Sequence, residues 1–514
     1  MSEQAFGGGR RGSVDFLTGT PWKRILRFSV PLLFGNLFQQ LYNTVDSIIV
    51  GRGVGHVALA AAGLSGPILW MLISVFMGVA TGSSILVSQY YGAKNEAALR
   101  RTLHTSIVLA LIVGLFLSLI GLVFAPAILR FMNTPDDAYP LALTYMRILF
   151  SGIIWQMMYN MLSGFMRGLG NSRTPLIILT FAAVTNAILT FIFVVPFQWG
   201  IAGSAYATVI SQIMSALLVA RSLHKSSPLT RISRKELRLD LPSAKEILKL
   251  GMPTAIQQAA MSIGGVVIQG FINSYGTENI AGYSAASRVD MFAFMPIMSL
   301  GMAMTSFTGQ NVGAGKMDRV YKAAKQGVIL SVCITLSLSG LLLIFGRYAL
   351  LLFTDNAQTI AAGLTMLRTL VPFYFLFAIN QPLGGVMRGS GETVIPMVNS
   401  LMMNLIVRIP LVVLLSYLYK RVEVIYWSQV LGWVYGAIHL GIIYRKGNWK
   451  KKALEKIATL YPDRAGPGEG GDSSGSGGSI ISSDASSSSS DASSSGTGSS
   501  IISSDAGNSH VSGK

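Results

Sequence analysis

The stretch MRGLGNSRTP, from Met166 to Pro175, returns as MRGSGETVIP from Met387 to Pro396. The shift is 221 residues at both ends, because 387 − 166 and 396 − 175 give the same value. Other pairs keep this shift or differ from it by one residue: Gln89 with Gln310, Gly55 with Gly276, Ala60 with Ala281, Arg147 with Arg368, and Pro31 with Pro253. Chance similarity does not hold one register over so much of a chain, so the sequence contains an internal duplication.

Long apolar segments fill both copies of this duplication. Only 12% of the 514 residues are charged and 51% are hydrophobic, with a mean hydropathy of +0.53, whereas a soluble domain carries about 25% charged residues. About 20 apolar residues cross a bilayer as a helix. The segments predict twelve helices, roughly at 25–50, 58–90, 99–129, 138–165, 173–197, 201–221, 246–275, 280–312, 322–353, 357–386, 393–418 and 424–444. We therefore predict an all-α polytopic membrane protein with twelve transmembrane helices in two pseudo-symmetric six-helix lobes.

The duplication and the composition divide the chain into five parts. Because six is an even number, both copies enter the membrane from the same face and are parallel repeats. The predicted parts are an N-terminal segment at 1–24, an N-lobe of helices 1–6 at 25–221, a linker at 222–245, a C-lobe of helices 7–12 at 246–445, and a C-terminal segment at 446–514. From about residue 466 the C-terminal segment is rich in Ser and Gly, a composition typical of disorder.

Basic residues predict the orientation. Clusters of Lys and Arg precede the first predicted helix and follow the second, sixth, eighth and twelfth, while the loops at the other end carry few. By the positive-inside rule both termini and the linker are cytoplasmic. The formal net charge of +18 then reflects topology, since a nucleic-acid-binding domain would concentrate its charge on one solvated face. We expect no nucleic-acid partner.

Enzyme signatures are absent from the sequence. The five histidines are scattered, the single Cys333 lies in an apolar segment, and there is no HExxH, CxxC or Walker A motif. These motifs would be needed for the common zinc sites, redox sites and nucleotide-driven motors. The sequence predicts a protein that is not an enzyme and holds no metal or bound cofactor.

Two acidic residues fall well inside apolar segments, Asp46 in helix 1 and Asp290 in helix 8. A charge at bilayer depth costs about 2.5–3.5 kcal/mol on insertion scales, so such a residue is a functional candidate. Gln39, Asn43 and Asp46 are spaced i, i+4 and i+7 and share one face of helix 1. We expect this polar face to look into the bundle interior. The alternative is a permanently hydrogen-bonded, structural Asp46.

Other embedded polar residues allow two interpretations. Arg288 lies two residues before Asp290, so a structural ion pair is as reasonable as a transport role. Pro31 precedes Asp46 on helix 1 and favours a kink, unless it is only a first-turn residue. Three further arginines are predicted to snorkel or to bond neighbouring helices, and they keep open a pathway attractive to anions: Arg147, Arg368 and Arg408.

Several stretches resemble those of the multidrug and toxic compound extrusion (MATE) transporters. They are LYNTVDSIIVGRGVG from Leu41, ALAAAGLSGPI from Ala58, QYYGA from Gln89, GTENIAGYSAASRVDMF from Gly276, GQNVGAG from Gly309, and the two MRG stretches above. The resemblance covers about residues 15–450. It implies two lobes forming a V around a central cavity, a place in the bacterial cytoplasmic (inner) membrane, and alternating access driven by a proton or sodium gradient.

The resemblance also implies site residues. The family's first-helix acid matches Asp46, spaced from Pro31 as in the family, and its fifth-helix asparagine matches Asn186. The second acid often found four residues later is Thr190 here, which leaves one carboxylate. The predicted ion-coupling and substrate site comprises Asp46, Gln39, Asn43, Asn160, Asn186, Thr190 and Asp290. Sodium-coupled branches use acids in helices 7 and 10, where this chain has only amides, which favours protons: Gln257, Gln258, Gln269, Asn380 and Gln381.

The predicted function is secondary active efflux of cationic amphipathic compounds by antiport with H+ or Na+. The expected partners are small organic cations and membrane lipids, and we expect the monomer to be functional. An alternative is a flippase for an anionic lipid-linked oligosaccharide of the same superfamily, which would use Arg147 and Arg368. A passive channel is a further alternative, which substrate accumulation against a gradient would exclude.

Overall fold

The computed structural model describes residues 13–132 and 134–461, without the side chains of residues 67–72. In these ranges twelve long helical segments follow one another: α1 Pro21–Gly53, α2 His56–Gly92, α3 Glu96–Phe131, α4 Tyr139–Gly168, α5 Arg173–Val194, α6 Gly200–Ser226, α7 Leu241–Asn273, α8 Thr277–Gly313, α9 Met317–Leu351, α10 Ala357–Gly389, α11 Val394–Tyr419 and α12 Glu423–Lys446. A shorter helix, α13, spans Asn448–Leu460. The predicted all-α fold with two six-helix lobes is confirmed.

Ten of the described helices are long and apolar enough to cross a membrane. α1 and α12 fall outside this set, and α1 is the helix that carries the polar face. Two helices are locally distorted: α10 contains a 3-10 turn at Val371–Phe373, whose central residue, Pro372, cannot donate a backbone hydrogen bond. α11 contains a π-helical turn at Met402–Val407, a rare feature that is frequent at functional sites.

The two lobes meet backbone to backbone at one end of the bundle. We call this the basic end, because α1 begins there, α2 ends there, and most Lys and Arg residues lie there. α2 and α7 cross so closely that a Cβ on Gly82 would lie 2.1 Å from the carbonyl oxygen of Ile247. A Cβ on Gly251 would lie 2.6 Å from the carbonyl oxygen of Gly78. Small residues at such crossings allow close packing of membrane helices.

Two connecting segments are packed onto the basic end. In residues 13–20, the Val14 amide donates to the Gly170 carbonyl at 2.8 Å, and Phe16 is fully buried between Phe28 and Phe307. In the linker after α6, the Ser233 amide donates to His104 Nε2 at 3.1 Å. The linker is therefore tied to α3 of the N-lobe.

Asp240 closes the linker by capping α7. Its side chain accepts a hydrogen bond from the Ser243 amide at 3.0 Å. Hydrogen bonding by Ser243, through its side chain and its backbone, holds the pKa of the Asp240 carboxyl below its ordinary value. Thr20, which precedes α1, makes no side-chain cap.

The C-terminal segment begins with a docked helix that the sequence interpretation did not predict. In α13, Trp449 is fully buried and stacks on Tyr444 at 5.3 Å between ring centroids. Lys456 pairs with Glu246 at the start of α7. The four-residue spacing of Trp449, Ala453 and Ile457 was the available signal. The predicted disordered tail from about residue 466 lies outside the described residues.

Candidate functional site

The Asp46 carboxylate of α1 lies against two hydroxyl groups of the N-lobe. Ser204 on α6 donates at 2.9 Å to Oδ1 and at 3.0 Å to Oδ2. Thr190 on α5 donates to Oδ1 at 3.1 Å. Ser204 and Thr190 are fully buried, whereas Asp46 is half-buried. Three helices therefore hold a carboxylate that keeps one side accessible.

A second layer of polar groups supports this carboxylate. Thr190 Oγ1 lies 3.4 Å from Asn186 Oδ1, and Asn186 Nδ2 donates to Thr208 Oγ1 at 3.3 Å. The hydroxyl groups of Thr208 and Tyr42 are 3.1 Å apart. Such a network fixes the orientation of each member in a medium of low dielectric constant. The structure thus brings together three predicted residues: Asp46, Asn186 and Thr190.

The polar residues of α1 that precede Asp46 lie in two environments. Asn36 Nδ2 donates to Ser299 Oγ of α8 at 3.4 Å, so α1 meets the C-lobe on the side of the basic end. Gln39 and Asn43, one and two turns farther along α1, are exposed and make no side-chain hydrogen bond to Asp46 among the described residues. The polar face is therefore exposed near Asp46 rather than sealed inside the bundle.

Two predicted residues lie away from the carboxylate. Asn160 on α4 donates to the Gln156 carbonyl of its own helix at 2.8 Å. Pro31 lies inside α1, nearly three turns after its start, so it is not a first-turn residue. The helix continues past Pro31 to Gly53. A movable kink at Pro31 remains a prediction.

Asp290 occupies a different environment in the C-lobe. It is 8% exposed and accepts a hydrogen bond from the Tyr374 hydroxyl. Aromatic rings close this region: Phe294 lies 5.0 Å from Tyr374, and Tyr374 lies 5.7 Å from Trp433. Arg288 does not pair with Asp290, because its exposed guanidinium lies over the Phe353 ring at 5.9 Å. Asp290 is thus sealed and separate from the Asp46 site.

A pocket in the C-lobe contains three of the five amides that the sequence places in α7 and α10. Gln257, Asn380 and Gln381 line it together with Arg388 and Asn399. Asn399 Nδ2 donates to Asn380 Oδ1 at 3.4 Å. His439 Nδ1 lies 2.9 Å from Asn399 Oδ1. Among the described residues, no carboxylate lines this pocket.

The basic end is closed by a reciprocal pair of hydrogen bonds between the lobes. Gln89 Nε2 donates to the Gly389 carbonyl at 3.0 Å, and Gln310 Nε2 donates to the Gly168 carbonyl at 2.8 Å. All four side-chain and backbone partners are buried. We call these two bonds the glutamine latch. They join the end of each lobe's second helix to the end of the other lobe's fourth helix.

Sequence reasoning missed Ser204, Thr208 and Tyr374. The first two are four residues apart on α6 and begin a small-polar stripe that continues through Ser211 and Ser215. This spacing places them on one helix face, which was a usable signal. Nothing in the sequence around Tyr374 indicated its contact with Asp290, because the two lie 84 positions apart.

Comparisons with known proteins agree with this architecture. The family model MatE matches the chain twice, at residues 31–192 and 253–414. The probable multidrug resistance protein YoeA of Bacillus subtilis (strain 168) is 33% identical over 444 residues, covering 85% of this chain and 96% of that protein.

Two solved structures share the fold at high coverage. One is an outward-facing conformation of a multidrug resistance MATE family transporter of the MOP superfamily, with a TM-score of 0.79 and 26% identity. The other is a MOP superfamily transporter from Pyrococcus furiosus, with a TM-score of 0.78 and 25% identity. Each comparison covers 87% of this chain and 98% of the other chain. With the family model matched in both lobes, this chain belongs to the MATE family of membrane transporters and is not an enzyme.

Proposed function

We propose that this protein exports cationic, amphipathic compounds from a bacterial cell by antiport with protons. The basic end faces the cytoplasm in this proposal, as the positive-inside rule requires, and the membrane is the bacterial inner membrane. The similarity to a protein named as a probable multidrug resistance protein supports drugs as the exported compounds.

The accessible carboxylate of Asp46 is the observation that carries the proposal. Ser204 and Thr190 donate hydrogen bonds to it and fix its position, while its half-buried position leaves room for a ligand. An organic cation and a proton both neutralise a carboxylate, so they compete for Asp46. This competition couples release of the compound to uptake of a proton.

The glutamine latch supports alternating access between two arrangements of the lobes. In the structure the basic end is closed by Gln89 and Gln310, while Gln39 and Asn43 are exposed farther along α1. Opening toward the cytoplasm would break both bonds. A ligand shifts such an equilibrium only by binding one state more tightly than the other, and the Asp46 carboxylate supplies that difference.

The choice of protons over sodium rests on the ligands available. Na+ coordination favours several oxygen ligands, with charged carboxylates among them, as for other hard cations. Asp46 is the only carboxylate at the N-lobe site among the described residues, and the C-lobe pocket offers amides and Arg388 instead. The complete site lies in one chain, which supports a functional monomer.

Proteoliposomes with an imposed pH gradient test this function, using tetraphenylphosphonium as the organic cation. We expect wild type to accumulate the cation against its gradient and Asp46→Asn to fall to the level of empty liposomes. Asp290→Asn is the matched control and should keep gradient-driven uptake, since Asp290 is buried and separate from the Asp46 site.

Three outcomes would contradict the proposal. Full transport by Asp46→Asn would remove Asp46 from the mechanism. Uptake driven by a sodium gradient but not by a pH gradient would replace protons with Na+. Loss of function in Arg147→Gln and Arg368→Gln, with Asp46→Asn unaffected, would favour the lipid-linked oligosaccharide flippase.

A further inference from the structure

A groove lies between α9 and α10, toward the end of the bundle opposite the basic end. Arg347 and Tyr348 of α9 and Arg368 of α10 line it. Leucine and isoleucine side chains form its walls, among them Leu343, Ile344 and Leu364. Leu343 is 49% exposed, Ile344 68% and Tyr348 65%. The groove therefore opens outward, on the apolar surface that meets lipid.

Both arginines of the groove lack a partner in the part of the chain that the structure describes. Neither Arg347 nor Arg368 makes an ion pair or a side-chain hydrogen bond with another described residue, and both are exposed. Arg368 lies about three turns into α10 from Ala357, among apolar neighbours. A guanidinium in such a position normally pairs with an acceptor or reaches the headgroup level of the bilayer.

We propose that this groove binds the headgroup of an anionic phospholipid, with its phosphate between Arg347 and Arg368. The planar guanidinium group matches phosphate oxygens in a bidentate arrangement, and basic pockets between transmembrane helices bind anionic headgroups. The Tyr348 hydroxyl adds a third donor, and the walls around Leu343, Ile344 and Leu364 accept the acyl chains. In the orientation proposed above, the lipid comes from the outer leaflet.

The internal duplication provides a matched control in the N-lobe. Arg147 is the counterpart of Arg368, 221 residues earlier, and is also exposed. The counterparts of Arg347 and Tyr348 at the same shift are Pro126 and Ala127. At these three positions the N-lobe has one arginine where the C-lobe has two arginines and a tyrosine, so the proposal assigns the lipid selectivity to the C-lobe groove.

Native mass spectrometry of the full-length protein tests this inference. The protein is equilibrated with palmitoyl-oleoyl phosphatidylglycerol and with palmitoyl-oleoyl phosphatidylcholine, which share their acyl chains. Wild type should retain phosphatidylglycerol in preference. Arg347→Gln with Arg368→Gln should lower that preference about tenfold, because hydrogen bonds to charged groups are lost. Arg347→Lys with Arg368→Lys keeps the charges without the forked donors, so its preference for phosphatidylglycerol should lie between those of wild type and the glutamine double variant. The preference of Arg147→Gln should match that of wild type.

Several results would overturn the proposal. An unchanged preference in the glutamine double variant would show that the arginines do not select the lipid. An equal loss in Arg147→Gln would assign the preference to general surface charge. Loss of the preference on adding inorganic phosphate would identify a phosphate site without lipid specificity. Size-exclusion profiles of the variants confirm their folding, and the surface position of both arginines makes misfolding a separable outcome.

Discussion

The two lobes are alike at the basic end and unlike in the half of the helices away from it. At the basic end, each lobe contributes one glutamine of the latch at equivalent positions of the duplication. Away from the basic end, the counterpart of Asp46 is Val267 or Ile268, depending on the register, and the counterpart of Asp290 is Leu69. The duplication has kept the closing contacts in both lobes and has placed an accessible carboxylate in only one. Substitutions at the latch should therefore act equally in the two lobes, and substitutions at the acids should not.

The largest shift between closed and open lobes is expected from substitution of the two glycines beside the glutamine latch, and it should be equal for both. A Cβ on Gly92 would lie 2.0 Å from the Gln310 carbonyl oxygen, and a Cβ on Gly313 would lie 2.0 Å from that of Gln89. Overpacking of this kind costs about 1–3 kcal/mol, so Gly92→Ala and Gly313→Ala should each shift the lobes from closed to open about fivefold to 150-fold.

Spin-label distances across the basic end measure this shift. Arg101 and Lys322 are exposed counterparts in the two lobes, and each accepts a label after the exposed Cys333 is replaced by Ser. A longer distance in both variants is the expected result. A change in only one variant would mean that the two halves of the closure are not equivalent.

Substitutions of Asp290 and Asp46 should lower the stability by unequal amounts. Asp290→Ala leaves the buried Tyr374 hydroxyl without its acceptor, at a cost of about 1–3 kcal/mol. Asp46→Ala should cost less, because water reaches the half-buried site. Thermal unfolding in detergent measures both. Combining Asp290→Leu with Tyr374→Phe removes both polar partners and should recover much of the loss; no recovery would argue against this bond as the source.

Smaller and equal effects are expected from the latch itself. Gln89→Leu and Gln310→Leu each remove one hydrogen bond between the lobes, worth about 0.5–1.5 kcal/mol. Each should shift the same label distance distribution about twofold to twelvefold toward the open state, and the double variant should combine the two shifts. If Gln89→Leu changed the label distance and Gln310→Leu did not, only the Gln89 bond would hold the lobes closed.

The smallest effect on stability is expected from the Asp240 cap. The first helices of the two lobes differ here, because Asp240 caps α7 and Thr20 does not cap α1. The pKa of the Asp240 carboxyl is lowered in the folded protein, so its stabilisation is present above its ordinary pKa of about 3.9 and is lost as the pH falls through the lower folded value. Asp240→Ala should cost at most about 1 kcal/mol at pH 7. Unfolding midpoints of wild type and variant should converge below about pH 3.9; a constant gap would contradict the charged cap.

The order of the helices could be predicted because membrane length and the duplication both constrain it. Asp46 could be singled out for a simple reason: acids are rare in apolar segments. Its partners were harder to predict, because Ser204 lies 158 positions away and serines are common in membrane helices. The sealing of Asp290 by Tyr374 depends on how three helices pack, which the spacing of Arg288 and Asp290 along one helix could not reveal. The docked α13 was not predicted because its lysines were interpreted only as the basic residues that orient the chain in the membrane.

The contacts of the glutamine latch have the symmetry of a homodimer interface. In a two-fold dimer, residue i of one copy contacts residue j of the other, and j contacts i in return. Gln89 with Gly389 and Gln310 with Gly168 follow this rule within one polypeptide. Two separate half-length chains would close by the same contacts. Such a homodimer would, however, present every side chain twice, so a cleft with a single carboxyl of the Asp46 type requires that the two halves be fused and free to diverge.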